Sequence, residues 1–298
     1  MVTRESALKC LLISCFIVFF ILAIELWPTL SYVHKTYFKE TSFAPHARNV
    51  EVIPRIPRRI HQCYFNVNND GLLDRYRFAQ QSWMKLNPGF TYTLWNRSMI
   101  DKLVKENYPG LYVLYKNYPS WLNQDEVGRY VVMHHYGGVY ADLDMECVEN
   151  ISVLIKSAFS TKRQVVLHLG DLDLASNDFF AAPPRHQFVE HVISGLSEAN
   201  RWYVFPYANI MLTTGATFFH GRYRSYYYKG EILTLADSNK YFVHHHASSW
   251  HRWDGMILIW FYRRGYIIKM LLFVLLFCAG IKLYLLFKRR KVHHQRAA

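Results

Sequence analysis

A helix-length run, Trp121 to Tyr136, stops at Gly137-Gly138 and gives way at once to "VYADLD", a short apolar stretch carrying Asp142 and Asp144 two positions apart. Glycine after a helix accepts the left-handed backbone that ends it, so this segment predicts helix, tight turn and strand end in immediate succession. The same alternation recurs along the middle of the chain. "RRIHQCYF" (58–65), "FTYTLWN" (90–96) and "RQVVLHL" (163–169) read as strands, and 72–86, 98–108 and 185–199 as helices. Strands alternating with helices predict an α/β fold with a mostly parallel central sheet covered on both faces.

On a strand, residues two apart point to one side, so Asp142 and Asp144 are expected to project together. Adjacent carboxylates raise each other's pKa unless a cation lies between them. A divalent metal resolves this, and oxygen ligands of this kind suit Mn²⁺ or Mg²⁺ shared with substrate phosphates. A solvated strand end whose aspartates cap the next turn is the alternative for so short a pattern.

The chain of 298 residues has two apolar ends. Leu11–Ile24 contains no charge, and Met270–Phe287 contains only Lys282. A ~30 Å hydrocarbon core asks for about 20 apolar residues. Residues 10–27 are therefore expected to be a transmembrane signal anchor, since no small-residue cleavage site follows Ile24, and 266–287 a second span. Basic residues flank both on their outer sides, Arg4 and Lys9 before the first and Lys288 to Lys291 after the second, which places both termini in the cytosol. The expected order is a cytosolic tail (1–9), the anchor, a stem (28–56), a lumenal domain (57–256), a juxtamembrane piece (257–265), the second span and a basic cytosolic tail (288–298).

Net charge is +13, but residues 263–298 hold nine Lys and Arg and no acid, which leaves +4 for the remainder. With no basic stripe on the soluble part, nucleic-acid binding is excluded. Asn96-Arg97-Ser98 and Asn150-Ile151-Ser152 are glycan acceptor triplets compatible with a secretory compartment. Of five cysteines only Cys63 and Cys147 fall in the expected lumenal part, and the sequence leaves open whether they pair.

The context "DEVGRYVVMHHYGGVYADLD" resembles glycosyltransferase family 32, whose members combine an acidic-x-x-Arg helix, a Gly-Gly-x-Tyr turn and an Asp-x-Asp. The likeness continues through "RRIHQCYF", "SWMKLNPGFTYTLWN", "SNDFFAAPPRHQF", "TTGATFF" and "HHHASSWH", covering about residues 57–251. Within the family the chain is most similar to inositol phosphoceramide mannosyltransferases. The resemblance implies a GT-A-like nucleotide-sugar-binding domain, a Golgi (or ER) membrane location, GDP-mannose as donor and a sphingolipid as acceptor. Asp142 and Asp144 would hold Mn²⁺, with His244 completing the metal shell or touching the diphosphate. Arg129 and an acid before it would bind the donor sugar, either Glu126 or Asp125, because the family's Asp three residues before the Arg is a Glu here. His61, Gln62, Trp95, Gly138 and Tyr140 would border the nucleotide, Asn177 and Asp178 the donor sugar or acceptor hydroxyl, and Ser249 and Trp250 a loop closing over the donor.

Plainer readings stand beside these: a core histidine at 61, an Asx turn at 177–178, a helical ion pair at 125–129. Retention of anomeric configuration is also implied, with the departing phosphate oxygen taking the acceptor proton, so no general base is assigned. "GRYRSYYYKG" (221–230) is expected either against anionic headgroups or as a solvent-facing amphipathic helix. The alternatives to sphingolipid mannosylation are a Golgi hexosyltransferase acting on a glycan or protein with GDP-mannose or a UDP-sugar, and a non-catalytic carbohydrate or lipid receptor.

Overall fold

A computed structural model describes residues 27, 31, 34–38, 55–65, 74–170, 173–203, 205–246 and 254–256. Two compact units are distinguished, 1–204 with 208–247, and 205–207 with 248–298. In the second, the Tyr207 backbone N–H donates to Asp254 Oδ2 at 2.7 Å. The sheet and the candidate site belong to the first.

Six strands form the main sheet: β1 (Arg59–Cys63), β2 (Thr91–Trp95), β3 (Gly138–Ala141), β5 (Val165–Leu169), β6 (Ala175–Ala182) and β7 (Ile232–Leu235). Their order is β2-β1-β3-β6-β5-β7. Only β6 runs against the rest, antiparallel to both β3 and β5. The expected mostly parallel α/β sheet is what forms. Two short strands, β4 (Met145–Cys147) and β8 (Phe242–His244), pair antiparallel as a separate ribbon.

Helices cover both faces, and side-chain alternation sorts the strand residues between them. Tyr140, Val165, Leu167, Phe180 and Ala182 pack on one side with Val127, Tyr130 and Val131 of α4 (Trp121–Tyr136), Phe188 of α6 (Gln187–Ser194) and Phe218 and Phe219 of α9 (Ala216–Ser225). Val139, Ala141, Val166, Phe179 and Ala181 face the other way, onto Trp83 of α1 (Asp74–Leu86) and Leu154 and Ala158 of α5 (Ser152–Ser160). Trp83, with no exposed surface, also donates its indole N–H to the Met145 carbonyl at 2.7 Å, fixing the ribbon to α1. Cys63 belongs to the first layer and Cys147 to the second, and both are free thiols.

Local chemistry explains the boundaries. Asn96 caps α2 (Arg97–Asn107) by accepting from the Met99 N–H at 2.9 Å, and Ser120 caps α4 through the Leu122 N–H. Gly137, at φ 60, closes α4 as its composition predicts. Gly138 follows at φ 118 with its Cα face pressed against Arg59, where a Cβ would lie 2.5 Å from the carbonyl oxygen. That contact lets β3 pair with β1 directly after the turn.

Several boundaries differ from expectation. The strand ends at Ala141, and Asp142–Asp144 form a turn closed by the Met145 N–H on the Asp142 carbonyl at 3.1 Å. The helix expected over 185–199 is split at Gly195 into α6 and α7 (Leu196–Ala199). Asn177 and Asp178 lie inside β6, so they are strand residues. The helices α3 (Pro109–Asn117), α5 and α8 (Pro206–Thr213) were not expected, nor was the part of α9 before residue 221. In 221–230 the helix ends at Ser225, and the buried Tyr226 packs edge-on against Phe188. The predicted spans fall outside the described residues apart from Trp27, as do Ser249 and Trp250. No helix among the described residues is long and apolar enough to cross a membrane.

Candidate active site

The site forms where α4, the turn after β3, β6 and the β4–β8 ribbon meet. Helical spacing sets Asp125 and Glu126 four and three residues before Arg129, on one face. The Arg129 guanidinium reaches Asp125 Oδ2 at 2.9 Å, Asp142 Oδ1 at 2.8 Å and the Asn177 carbonyl at 3.2 Å. Glu126 Oε2 lies 3.2 Å from Nε, an ionic contact without hydrogen-bond geometry. The guanidinium also stacks over the Tyr140 ring at 4.9 Å, and the Tyr140 hydroxyl donates to Asp142 Oδ1 at 2.9 Å.

One buried guanidinium therefore faces three carboxylates, and the titration of each follows. Burial pushes Glu126 up to about 8, with Arg129 opposing and the charges of Asp142 and Asp125 adding. Asp142 is raised to about 7 by burial, again against Arg129, with Asp144 and Asp178 contributing. Asp125 is raised for the same first reason. Burial disfavours the charged guanidinium, yet the surrounding carboxylates hold Arg129 more firmly protonated than usual.

A second cluster lies beside the first. The β4–β8 register sets Met145 opposite His244, which carries the imidazole between Asp144 (Nε2 to Oδ1, 3.3 Å) and Asp178 (Nδ1 to Oδ2, 3.2 Å). Burial lowers the His244 pKa, but the two carboxylates more than offset it and bring it to about 10, so the ring is an imidazolium at neutral pH. Asp178 also engages His168 at 2.8 Å. Burial raises its pKa while the two histidines draw it below the ordinary carboxylate range. His168 escaped the sequence reading because it sits in an apolar strand. Its partner is reached through an irregularity in the β5–β6 register at Leu167/His168, which nothing local announces.

The expected nucleotide-border residues form a layer behind these groups. Trp95 Nε1 donates to His61 Nδ1 at 3.1 Å, leaving the His61 proton on Nε2, 2.9 Å from the Gly137 carbonyl. Gln62 donates to the Asp142 carbonyl at 3.0 Å and accepts from the Tyr92 hydroxyl at 2.7 Å. His61 and Gln62 are buried, so they position Asp142 and the glycine turn. The Asn177 side-chain amide donates to Glu126 Oε2 and to the Tyr130 hydroxyl.

Among the described residues, no three His, Cys, Asp or Glu side chains are arranged to hold a metal ion. Asp142 is engaged by Arg129, and Asp144 and Asp178 by His244, so the cations of the protein itself hold these carboxylates apart. The donor set nonetheless fits a hard divalent ion. Oxygen ligands predominate, and five carboxylates outnumber the two firmly charged cations among them. Asp142 and Asp144 are the residues that would hold it.

Comparison with known proteins agrees with this chemistry. A glycosyltransferase sugar-binding region containing a DXD motif matches residues 74–160. Inositol phosphoceramide mannosyltransferase 2 of Schizosaccharomyces pombe is 30% identical over 221 residues, 70% of this chain and 61% of that protein. Inositol phosphoceramide mannosyltransferase 1 of the same yeast is 29% identical, covering 80% and 76%. Mannosyl phosphorylinositol ceramide synthase CSH1 of Saccharomyces cerevisiae is 32% identical, covering 67% and 54%. The chain thus spans between about half and three quarters of these relatives' lengths. Among solved structures, the ligand-free glycosyltransferase domain of the YGT toxin is 9% identical, with a TM-score of 0.44 over 61% of this chain and 80% of that one.

Proposed function

We propose, from the premise that this chain belongs through residues 74–160 to the glycosyltransferases with a DXD-containing sugar-binding region, that it transfers mannose from GDP-mannose to inositol phosphoceramide. The observation that carries the reading is the carboxylate cluster built on Asp142, with Arg129 at its centre and Asp144 one turn residue away. The names of its relatives supply the sugar and the acceptor class.

In this reading Asp142 and Asp144 would hold Mn²⁺, which would supply positive charge for the departing diphosphate. Asp125 and Glu126, with 15% and 13% of their side chains exposed, bind hydroxyls of the donor sugar. Arg129, only 6% exposed, orients all three acids and leaves the sugar contacts to them. Asp178, kept ionised by His168 and His244, faces the same cluster and orients the acceptor hydroxyl. With the retention that the resemblance implies, the acceptor attacks on the leaving-group face and its proton passes to the departing phosphate oxygen, so no residue is assigned as base. Spans at 10–27 and 266–287 would hold the domain on the lumenal side of a Golgi membrane, beside a lipid acceptor.

The test uses the full-length chain in detergent with Mn²⁺, a panel of GDP- and UDP-sugars and inositol phosphoceramide, scoring transfer and slow donor hydrolysis. Mannosylation of the lipid that is abolished by chelator and by Asp142→Asn/Asp144→Asn, with folding intact, supports the reading. Transfer from another donor discards GDP-mannose. A folded protein that neither transfers nor hydrolyses any donor overturns the enzyme in favour of a receptor.

A further inference from the structure

A concave feature lies away from the carboxylate cluster. Arg58 and Phe90 stand immediately before β1 and β2, whereas Asp142 follows the far end of β3, which runs parallel to β1. Five strand residues at ~3.3 Å each separate the two edges of the sheet by about 15 Å. At the starting edge, against α5, lies a cleft of about 390 Å³.

Its walls carry four cations, Arg55, Arg58, Lys156 and Arg163, and no acidic residue. None of the four forms an ion pair with a described carboxylate. Arg55 is held over the Phe159 ring at 5.4 Å, and Arg163 donates to the Gly230 carbonyl, so two of the four are fixed in place by contacts that leave their charge unneutralised. Like charges gathered in one concavity repel, and such a site concentrates anions. Apart from Ser152, the rest of the wall is apolar. Phe159 is 42% exposed beside the guanidinium of Arg55, and Phe90 adds a second ring. Cations combined with accessible aromatic surface suit a ligand that has a phosphate at one end and hydrocarbon at the other, more than a small free anion. The volume is in the range of small-molecule sites.

We propose that this cleft binds the phosphate-bearing headgroup of an anionic membrane lipid, at a site separate from that of donor and acceptor. Arg55 and Arg58 flank the junction between the stem expected to lead from the membrane anchor (28–56) and the domain, so a lipid contact here would orient the domain on the surface that supplies its acceptor.

The full chain in neutral detergent is titrated with dioctanoyl phosphatidic acid, with dioctanoyl phosphatidylcholine and with inorganic phosphate. The acidic lipid is expected to bind saturably and the zwitterionic lipid and free phosphate far more weakly. Arg58→Gln/Lys156→Gln, which removes two of the four charges, is expected to weaken binding about thirty-fold. Should the double variant lose its thermal transition, Lys156→Gln alone, at an exposed helix position, carries the test with an expected loss of about fivefold. Equal affinity in wild type and variants overturns the proposal, and inorganic phosphate binding as tightly as the lipid replaces it with a free-anion site. Donor hydrolysis by the same variants is expected to be unchanged, so a failure here is separable from a failure of the transferase reading.

Discussion

Arg129 Nη1 lies 2.8 Å from Asp142 Oδ1, and this contact joins the helix before the glycine turn to the acidic turn after it. Removing the guanidinium leaves Asp125 and Asp142, beside the protonated Glu126, without a counter-charge. Arg129→Ala is expected to lower unfolding free energy at pH 7 by about 3 kcal/mol, in the range for breaking a buried pair. Arg129→Lys is expected to recover only part of that, because an ammonium cannot serve three separated acceptors as a guanidinium fork does. Urea denaturation of both variants checks this. A loss below about 1 kcal/mol for the alanine variant would mean that the carboxylates are neutral in the folded protein.

His61 makes stability fall in acid. Burial lowers its pKa from 6.5 to about 4, and its Nδ1 faces the Trp95 N–H, a donor that an imidazolium would meet with a second donor. Because the folded state binds the proton less readily than the unfolded chain, the stabilisation is present above pH 6.5 and is lost as pH falls towards 4. The amount is about 3 kcal/mol. His191 and His220, also lowered to about 4 by burial, act in the same sense. Denaturation midpoints between pH 4 and 7 are expected to slope less steeply in His61→Gln than in wild type.

Glu126 acts oppositely. Raised by burial from 4.5 to about 8, it contributes stability that is present below pH 4.5 and is lost as pH rises through 8. Glu126→Gln is expected to flatten the decline between pH 5 and 8 and to raise stability at pH 8, while sugar transfer falls. A variant no more stable than wild type at pH 8 would place the buried proton elsewhere in the cluster.

Gly138 has no room for a side chain. At φ 118, with Arg59 O 2.5 Å from where a Cβ would stand, Gly138→Ala combines backbone strain with overpacking. It is expected to destabilise by about 2 kcal/mol or more. The same substitution at Gly110, where a Cβ would meet nothing within 4 Å, is the control and is expected to be near neutral. Thermal melts of the two variants compare them directly.

Cys63 and Cys147 lie in different layers of the core, on opposite faces of the sheet. Both are expected to be alkylated when the protein is denatured without reductant. A peptide linking the two would contradict the structure.

The sequence by itself determined the helix–glycine–strand unit around Asp142, because helical spacing, a left-handed turn and alternating burial are local properties. Asp125, Glu126 and Arg129 were legible on one helix face for the same reason. Pairings between distant segments were not. That His168 reaches Asp178 depends on an irregular register between β5 and β6. That His244 lies between Asp144 and Asp178 depends on a ribbon formed by segments almost a hundred residues apart. The sequence placed Asp142 and Asp144 together on a strand, whereas the chain turns after Ala141 and sends one carboxylate to Arg129 and the other to His244. His61 and Gln62 carry groups suited to touching a ligand, and only the packing of Trp95, Tyr92 and Gly137 around them decided that they support Asp142 from behind. Local spacing fixes which side of an element a residue occupies, but a side chain's partner is fixed by what the fold brings against that side.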